Sequence, residues 1–528
     1  MQIRLATRGS RLALAQSGMV ADALRGLGAE VELVRVRTLG DVSTAPLSSL
    51  GGVGVFVAAV REAVLDGGCD LAVHSMKDLP TTPAAGLVVA AIPEREDPRD
   101  ALCARDGLPL ADLPSGAKVG TGSPRRAAQL RAARPDLHIV DIRGNVDTRL
   151  GRVGDDLDAV VLAAAGLNRL GRSDAVTEFF EPDALVPAPA QGALALECRT
   201  GDTELRGLLA RLDHRPTRIA VSAERDLMRL IEAGCAAPFG ALATVGDGGL
   251  RLRARLAHPD ATVTLARDAA TEAASRLVAG LAEALLPLRR LRVVMPPSAL
   301  ADAVAARGAE VTPARLTRQR PVADPALPGR LADLAAGGYD WLTLTSARTL
   351  EALDAGGVDL AAAVPPVTRV AAVGPRTAAA ARAAGLRVDL VPSGGSGGAD
   401  LAADFPEPAG RVLVPGAAEP APGLDEALRA RGWRVDRVAV YRTDPVESIE
   451  DEIRRAWPDG FDAFVVTAPS VVRAAADLLG PPGPPAIALG ETSAAAARDA
   501  GFTVAAVAAE ATPAGLVDAL ATLRKEVR

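Results

Sequence analysis

Short apolar runs alternate with amphipathic segments along most of this chain, and many of the runs end in clusters of polar residues. That alternation predicts α/β domains, in which polar clusters lie at the carboxyl ends of buried strands. The strands expected in the first half, besides one that ends near residue 75, are 3–7, 31–37, 87–92, 139–142, 159–164, 250–256 and 262–266. The expected helices are 11–27, 55–65, 124–133, 217–232 and 269–286.

The segment from Val73 to Pro80 carries the densest polar chemistry of the first half. Its buried strand is expected to deliver His74, Ser75, Lys77 and Asp78 to the carboxyl end, where open α/β sheets bind ligands. Only three of the 59 basic residues are lysines, so a compact ammonium at position 77 is an unusual choice here. With Asp78 beside it, charge or proton transfer is one interpretation, and a surface ion pair at the strand end is the other.

Composition narrows the class of protein. At 528 residues the chain should hold several domains, and a hydrophobic content of 49% supplies enough apolar side chains for their cores. The net charge of -6 argues against a general nucleic-acid-binding protein. Four cysteines without a CxxC pair and four scattered histidines suggest no metal site, and free thiols suit a reducing compartment. With neither a signal peptide nor a long apolar run, we expect a cytoplasmic protein that does not enter a membrane.

Arginines follow several predicted strands of the first half. Ser123 and Pro124 suit the start of a helix, but Arg125 and Arg126 oppose the helix dipole there by up to ~1 kcal/mol each. An anion docked at that helix start would explain the pair; the alternative is that both side chains extend into water. Other basic residues at strand ends are Arg8 beside a helix capped by Ser10, Arg143 with Arg149, and Arg169. Since arginine binds carboxylates through two hydrogen bonds, the expected ligand carries several carboxylates and lies in a cleft between two α/β domains.

Cys235 lies in a loop of small residues after the helix that is predicted to end near Glu232. A thiol in such a loop is suited to covalent attachment or to nucleophilic attack, although no nearby histidine could serve as its base. A buried, unreactive cysteine is the alternative.

Taken together, these motifs resemble hydroxymethylbilane synthase, also called porphobilinogen deaminase, over residues 1 to about 287. The matching segments are 6–10, 73–80, 94–100, 120–126, 143–149 and 232–235. The resemblance implies two α/β domains similar to periplasmic binding proteins, at 1–93 with 194–212 and at 94–193, and a small α+β domain at 213–287.

The resemblance also implies a chemistry. Cys235 would carry a dipyrromethane cofactor through a thioether, and Asp78 with Lys77 would handle positive charge and protons at the pyrrole nitrogens. Ammonia leaves porphobilinogen, and four units are joined before water releases hydroxymethylbilane. The residues implied in cofactor binding are Cys235, Ser75, Lys77, Asp78, Thr121, Ser123, Arg125, Arg126, Arg143 and Gly144. Those implied in substrate binding are Arg8, Ser10, Arg143, Arg149, Arg169 and Gln191.

One departure from that family concerns the Gly-rich loop at 51–54. Members commonly carry lysines around this loop, whereas this chain has Ser49 and Val53 in those places. Phe56 matches the family's phenylalanine. The two replacements call the loop's contacts with pyrrole carboxylates into question.

After a short linker at 287–290, the second half contains an internal duplication. Residues 338–346 resemble 460–468, 373–377 resemble 489–493, and 307–311 resemble 431–435. Each repeated piece predicts a strand, a turn and a helix, so we expect two similar α/β lobes that face each other across a cleft. The turns offer hydroxyls and helix amides that suit carboxylates, although such hydroxyls also cap helices without binding a ligand. The hydroxyl residues expected to bind substrate are Thr345, Ser346, Thr377, Thr467 and Thr492.

This half resembles uroporphyrinogen-III synthase from residue 291 to about 525, through 374–377, 438–443, 490–493 and 511–516. The resemblance implies one lobe at 291–320 with 443–528 and another at 321–442, joined by crossings near 319–322 and 441–445. Such an enzyme closes hydroxymethylbilane with inversion of the last ring and uses no cofactor. Tyr441, at the expected hinge and facing the cleft, is the candidate catalytic residue.

The two resemblances predict a bifunctional enzyme of tetrapyrrole biosynthesis, expected to be a monomer that acts on porphobilinogen and hydroxymethylbilane. One alternative keeps the deaminase and makes the second half a non-catalytic, tetrapyrrole-binding or regulatory pair of lobes. An alternative of another class is a two-lobed solute-binding protein, against which the Cys235 loop and the missing signal peptide argue.

Overall fold

The computed structural model describes residues 1–36, 55–231, 238–247, 249–257, 263–269, 273–392, 398–406, 410–420 and 423–526. The chain forms two compact units, one of Met1–Arg289 with Ala305–Gly308 and one of Arg290–Val304 with Ala309–Arg528. Within those ranges, every helix is too short or too polar to cross a membrane.

The described part of the first unit contains three β-sheets with helices packed on them. Its strands are β1 (Gln2–Thr7), β2 (Glu30–Arg35), β3 (Leu71–Ser75), β4 (Leu87–Ala91), β5 (Asp100–Ala104), β6 (Lys118–Gly120), β7 (His138–Val140), β8 (Ala159–Ala163), β9 (Glu178–Phe179), β10 (Leu194–Arg199), β11 (Phe239–Gly246), β12 (Gly249–Leu256) and β13 (Val263–Ala269). Its helices are α1 (Arg11–Gly26), α2 (Val55–Leu65), α3 (Pro124–Ala133), α4 (Val146–Leu150), α5 (Ala164–Arg169), α6 (Thr203–Leu209), α7 (Arg215–Leu230) and α8 (Ala274–Leu285).

The first two sheets are five-stranded and mixed, with the orders β2-β1-β3-β10-β4 and β7-β6-β8-β5-β9. β1 and β3 run parallel. β10 follows the strands of the second sheet in the chain and pairs antiparallel with both β3 and β4. β3 is therefore the central strand of the first sheet. The third sheet is an antiparallel meander, β11-β12-β13, covered by α7 and α8.

Local sequence signals account for the first strand–helix pair. The Ser10 hydroxyl accepts a hydrogen bond from the Ala13 amide at 3.3 Å and caps α1, as predicted. Val20 and Leu24 lie one turn apart on the buried face of α1 and pack with Leu5 of β1 in the core of the first sheet. Capping and apolar spacing thus agree on where this helix begins and which face it buries.

The described part of the second unit contains two further five-stranded sheets. Its strands are β14 (Arg292–Met295), β15 (Glu310–Pro313), β16 (Thr317–Pro321), β17 (Trp341–Leu344), β18 (Arg369–Ala372), β19 (Arg411–Ala417), β20 (Arg434–Pro445), β21 (Ala463–Val466), β22 (Ala486–Ala488) and β23 (Val504–Val507). Its helices are α9 (Ala299–Ala306), α10 (Leu327–Ala335), α11 (Ala347–Ala355), α12 (Leu360–Ala363), α13 (Pro375–Ala383), α14 (Gly398–Asp404), α15 (Leu424–Ala430), α16 (Asp451–Ala456), α17 (Pro469–Leu478), α18 (Glu491–Asp499) and α19 (Pro513–Glu526).

The two sheets of the second unit repeat one topology. One has the order β15-β14-β21-β22-β23, and the other has β20-β19-β17-β18 with an isolated parallel bridge from β18 to Leu390 beyond it. In both lobes, the backbone amide of the first residue of an inner strand donates a hydrogen bond to the aspartate that precedes the neighbouring strand of the sheet. These bonds run from Arg292 to Asp462 and from Arg411 to Asp340, each at 2.8 Å. These matches confirm the internal duplication that the sequence predicts.

The two predicted crossings between the lobes lie side by side. β16 pairs antiparallel with the end of β20, so that Thr317 is opposite Pro445 and Pro321 is opposite Tyr441. Apart from these two crossings, the strands of each sheet in the second unit come from the segments of the chain that were expected to form each lobe. The exact limits of the individual domains stay a prediction.

Candidate active site

β3 brings two charged side chains to the carboxyl end of the first sheet. The strand ends at Ser75, and a single turn of 3₁₀ helix, Met76–Asp78, follows it. Met76 is buried under this turn, Lys77 is half-buried and Asp78 is exposed. The apolar residue thus anchors the turn, and the two charged groups face away from the core.

The structure separates His74 from this group and gives Ser75 a partner. Successive side chains of a strand point to opposite faces. His74 is accordingly buried, with its Nε2 3.4 Å from the Glu197 carboxylate, which is itself bound by Arg61. Ser75 instead exchanges hydrogen bonds with the Gln16 amide of α1, at 2.9 and 3.3 Å. The expectation that His74 lies at the ligand edge is therefore wrong.

Gln191 connects Lys77 to the second sheet. Its amide oxygen accepts a hydrogen bond from the Lys77 ammonium at 3.3 Å, and its amide nitrogen donates to the Asp100 carboxylate at 2.9 Å. Burial, and then the nearby Arg126 and Arg125, lower the pKa of Lys77 to about 8, against the attraction of Asp78 and Asp100. Lys77 can therefore lose and regain a proton near neutral pH.

Asp100 holds the two arginines at the start of α3. Its carboxylate accepts hydrogen bonds from Arg125 Nη1 at 2.7 Å and from Arg126 Nε at 2.9 Å, and all three side chains are buried. Burial alone would raise the pKa of Asp100, but the two guanidinium groups hold it well below its usual range. Arg125 and Arg126 thus do not extend into water. The anion that they contact within the described structure is Asp100, and a docked ligand anion stays a prediction.

Further basic side chains follow β7 and β8. Arg143 is exposed on the turn before α4, and Arg149 donates through Nε to the Gly144 carbonyl at 2.8 Å. Gly144 has φ +108°, and a Cβ there would lie 2.8 Å from Thr148, so only glycine fits this turn. Arg169, at the end of α5, donates through Nη2 to the Gly192 carbonyl at 2.6 Å. Burial lowers the pKa of both Arg149 and Arg169.

The remaining hydroxyl candidates of the first unit serve the backbone. Ser123 accepts from the Arg126 amide and caps α3, and Thr121 accepts from the Ser123 amide at 3.2 Å. Ser10 caps α1, and Arg8 is half-buried in the turn between β1 and that helix. These positions satisfy helix ends, and the ligand roles expected of them stay predictions.

Sequence reasoning missed a buried ion pair that fixes the segment before Gln191. Glu224 of α7 is fully buried and accepts from Arg95 at 2.6 and 3.1 Å and from the Ala190 amide at 2.5 Å. Arg95 also donates to the Gln191 carbonyl at 2.7 Å. In the sequence, Glu224 belongs to a helical pattern and Arg95 to a charged run. Neither pattern indicates that these two residues will be in contact.

Several predicted features of the first unit cannot be placed. Cys235 and the whole segment 232–237 lie outside the described residues, as do Ser49, Val53 and the Gly-rich loop. The backbone of Phe56 lies in α2, and its side chain is outside the described part. α7 ends at Leu230, shortly before Cys235 in the sequence.

The hydroxyl candidates of the second unit follow β17, β18, β21 and β22. Thr345 and Thr467 take equivalent half-buried positions after β17 and β21, and Ser346 caps α11 through the Arg348 amide at 3.2 Å. Thr377 is buried in α13, whereas Thr492 is exposed in α18. All of them therefore lie at or just beyond strand ends.

Tyr441 differs from its expected orientation. It lies on β20 and is only 6% exposed, packed in the core of its lobe with Val440 and Leu413 instead of facing an open cleft. Its place beside β16 agrees with the predicted crossing, and its catalytic role stays a prediction.

Three family models match the chain. Residues 3–207 match "Porphobilinogen deaminase, dipyromethane cofactor binding domain", and residues 218–287 match "Porphobilinogen deaminase, C-terminal domain". Residues 298–518 match "Uroporphyrinogen-III synthase HemD".

Individual proteins are also similar to parts of this chain. The porphobilinogen deaminase of Leifsonia xyli is 54% identical over 315 residues, which are 55% of this chain and 96% of that protein. The porphobilinogen deaminase of Thermobifida fusca is 53% identical over 320 residues, 58% of this chain and 98% of that protein. Among solved structures, a uroporphyrinogen III synthase from Thermus thermophilus aligns over its full length with 45% of this chain, at 22% identity and a TM-score of 0.32. The chain therefore belongs to the porphobilinogen deaminase family through its first half, and residues 298–518 add a uroporphyrinogen-III synthase domain.

Proposed function

We propose that the first unit joins four molecules of porphobilinogen into hydroxymethylbilane with loss of ammonia, and that the second unit closes this product with inversion of the last ring. The observation that carries the first activity is the junction at Gln191. There, Lys77, which lies next to the exposed Asp78, is linked through Gln191 and Asp100 to the Arg125–Arg126 pair beside another sheet.

The residues around this junction fit an acidic dipyrromethane. Three buried or half-buried cations, Lys77, Arg125 and Arg126, are balanced by two nearby carboxylates, the buried Asp100 and the exposed Asp78, so positive charge is left over. The Nε–H groups of Arg125 and Arg169 are buried without an acceptor among the described residues. An unpaired buried donor costs ~1–3 kcal/mol, which a ligand carboxylate would recover.

Attachment through Cys235 is part of this proposal. When bound, the dipyrromethane supplies the pyrrole end to which the first porphobilinogen is joined. The side chains that would hold its carboxylates and ring nitrogens are Ser75, Lys77, Asp78, Thr121, Ser123, Arg125, Arg126 and Arg143, with the backbone of Gly144.

Asp78 is the candidate proton-transfer group. Its exposed carboxylate follows β3 directly, where it can hold the positive charge that develops at a pyrrole nitrogen as ammonia leaves. Lys77, whose pKa is about 8, lies next to Asp78 in the chain and can carry a proton near that pH. Arg8, Ser10, Arg143, Arg149, Arg169 and Gln191 would hold the acetate and propionate groups of the substrate and growing chain.

The test of the first activity is the mass of the purified chain. We expect a covalent increment of the size of a dipyrromethane in the wild type and its loss, together with activity, in Cys235→Ala. Cys103→Ala is the matched control, because Cys103 is buried in the core of the second sheet and its replacement should leave the covalent increment unchanged. An unmodified wild type with full activity would refute the assignment.

In the second unit, ring closure would rest on holding the chain in a folded conformation. The hydroxyls of Thr345, Ser346, Thr377, Thr467 and Thr492, with neighbouring helix amides, would bind its carboxylates. Tyr441→Phe should then slow ring closure more than it weakens binding. We also propose that the chain acts as a cytoplasmic monomer, and that its first two sheets are separate domains arranged as in periplasmic binding proteins.

A further inference from the structure

One lobe of the second unit carries a cation close to the carboxyl ends of its strands. Arg437 of β20 is half-buried, and its Nε and Nη2 donate to the two carboxylate oxygens of Asp425 at 2.6 and 2.5 Å. That two-point contact fixes the plane of the guanidinium. Among the hydrogen bonds of the described residues, those of Arg437 use Nε and Nη2, and the third nitrogen, Nη1, makes none.

Arg437 Nη1 and the Thr345 hydroxyl both lie close to the same glycine, Gly416. A Cβ placed on Gly416 of β19 would lie 3.3 Å from Arg437 Nη1 and 3.3 Å from Thr345 Oγ1. Because Gly416 has no side chain between the cation and the hydroxyl, a carboxylate oxygen in van der Waals contact with its Cα could approach both groups, and both could donate to it.

These groups share one face of the sheet with a buried hydroxyl. Alternation along the strands puts Thr343, Gly416 and Arg437 on the face of Val412 and Val414, opposite the face that buries Leu413 and Val438. The Thr343 hydroxyl is fully buried and has no partner among the described residues. A face that is otherwise apolar therefore becomes polar toward the carboxyl ends of β17, β19 and β20.

The duplicated lobe shows that the fold does not require this polarity. By the repeat, Thr343 corresponds to Val465, Gly416 to Pro297 and Arg437 to Pro313. The three equivalents are a valine and two prolines, and Thr345 alone keeps its counterpart, Thr467. The same topology thus forms without the cation, the small residue or the buried hydroxyl, so packing does not explain their joint presence.

Net charge at the cluster favours an anion. Asp425 is approached by Arg429 at 3.8 Å as well as by Arg437, so two guanidinium groups face one carboxylate. Asp425 is the carboxylate nearest to Arg437 in the described structure, and it occupies the Nε and Nη2 edge only.

We propose that Arg437, Thr345 and the space over Gly416 form a carboxylate-binding subsite of the synthase half, with Asp425 positioning the guanidinium. The proposal rests on the proposed function, because the carboxylate is taken to be an acetate or propionate of hydroxymethylbilane. It makes the two lobes unequal: one offers a side-chain cation, and the other offers only hydroxyls and amides at the equivalent place.

The test uses the full chain supplied with hydroxymethylbilane. Arg437→Met should raise the KM for ring closure by about 10- to 100-fold, the range of one lost charge-assisted hydrogen bond, and should leave kcat within a few-fold. Arg434→Met is the matched control, because Arg434 is exposed on the same strand. Porphobilinogen consumption by the first unit of each variant serves as an internal reference for folding and concentration.

Gly416→Ala tests the space without removing a charge. The added methyl group would stand 3.3 Å from both donors, so it should raise the KM although Arg437 and Asp425 remain. Gly329→Ala in α10 is its control, since a Cβ there meets nothing within 4 Å. Wild-type KM values in both Arg437→Met and Gly416→Ala, with type III product from the wild type, would overturn the subsite alone. Type I product from the wild type would overturn the synthase function and the subsite with it.

Discussion

The pKa of Lys77 gives the sharpest local test of the deaminase site. In a Cys235→Ser chain, which we expect to lack the cofactor, the ammonium should titrate at about 8. The cause is burial of the ammonium near Arg126 and Arg125, only partly offset by Asp78 and Asp100. An ordinary lysine titrates near 10.4.

The expected difference in reactivity is large. At pH 7.5, a lysine with a pKa of 8 is neutral in roughly a quarter of molecules, against roughly one in a thousand for an ordinary lysine. Lys77 should therefore present about 200-fold more neutral amine than an ordinary lysine does at this pH, and should react faster with an electrophile at equal accessibility. Because the unfolded chain holds this proton to a higher pH than the folded chain does, the free energy of unfolding should rise between about pH 8 and 10.4.

Competitive labelling can measure this pKa directly. The chain has only three lysines, so trace acetic anhydride between pH 6 and 11, followed by peptide mass spectrometry, separates them. Lys118 is exposed and serves as the internal reference. Asp78→Asn should lower the pKa of Lys77 further, because a stabilising negative charge is lost. Attachment of the carboxylate-bearing cofactor should raise it.

A Lys77 that titrates near 10.4 in the Cys235→Ser chain, as an ordinary lysine does, would contradict a buried ammonium flanked by two arginines. An increase of the Lys77 pKa in Asp78→Asn would contradict the stabilising effect of Asp78. Slow labelling at every pH would indicate poor access, and the midpoint of the titration, which does not depend on access, would still decide.

Four further substitutions test other parts of the site. Asp78→Ala should lower turnover by about 100- to 10,000-fold with the fold retained by circular dichroism, and rates within a few-fold of wild type would make Asp78 a simple surface charge. Arg143→Leu and Arg169→Leu should each remove a contact worth ~1.5–3 kcal/mol, so that intermediates with fewer than four added pyrroles accumulate on the protein in intact-mass spectra; unchanged elongation in both would contradict the carboxylate model. Asp100→Asn should destabilise the first unit by ~3–5 kcal/mol in urea unfolding because two buried guanidinium groups lose their counter-charge, whereas Asp22→Asn, at an exposed ion pair, should cost under ~1 kcal/mol. Equal costs for these two aspartate variants would show that Asp100 is not a structural counter-ion.

Much of the architecture could be predicted because its signals are local. The caps at Ser10 and Ser123 set the starts of two helices, and the apolar run before Ser75 predicts the central strand. The repeat in the second half predicts two lobes of the same topology, because equivalent strand–turn–helix pieces recur in the same order. β11 was not predicted, since Phe239–Gly246 is rich in small residues that carry little strand preference.

The site itself was predictable only in part, because its decisive contacts are distant in sequence. Asp100 ends a charged run that looks like an exposed connection, yet folding places it against the two arginines of α3. His74 lies next to Ser75 in the sequence and on the other side of the sheet in the structure. Arg437 stands in an alternating strand pattern that gives no sign of its convergence with Thr345 across β19. Periodicity can assign a residue to a face, but it cannot say which other strand supplies its partner.

The central claim is that one chain makes hydroxymethylbilane and then closes it with inversion of the last ring. Full-length protein should be given porphobilinogen, and the products should be oxidised and separated as isomers by chromatography. Mainly the type III isomer is expected, because hydroxymethylbilane that is not held by a synthase closes without inversion to type I. Rapid consumption of porphobilinogen with only type I product would contradict it.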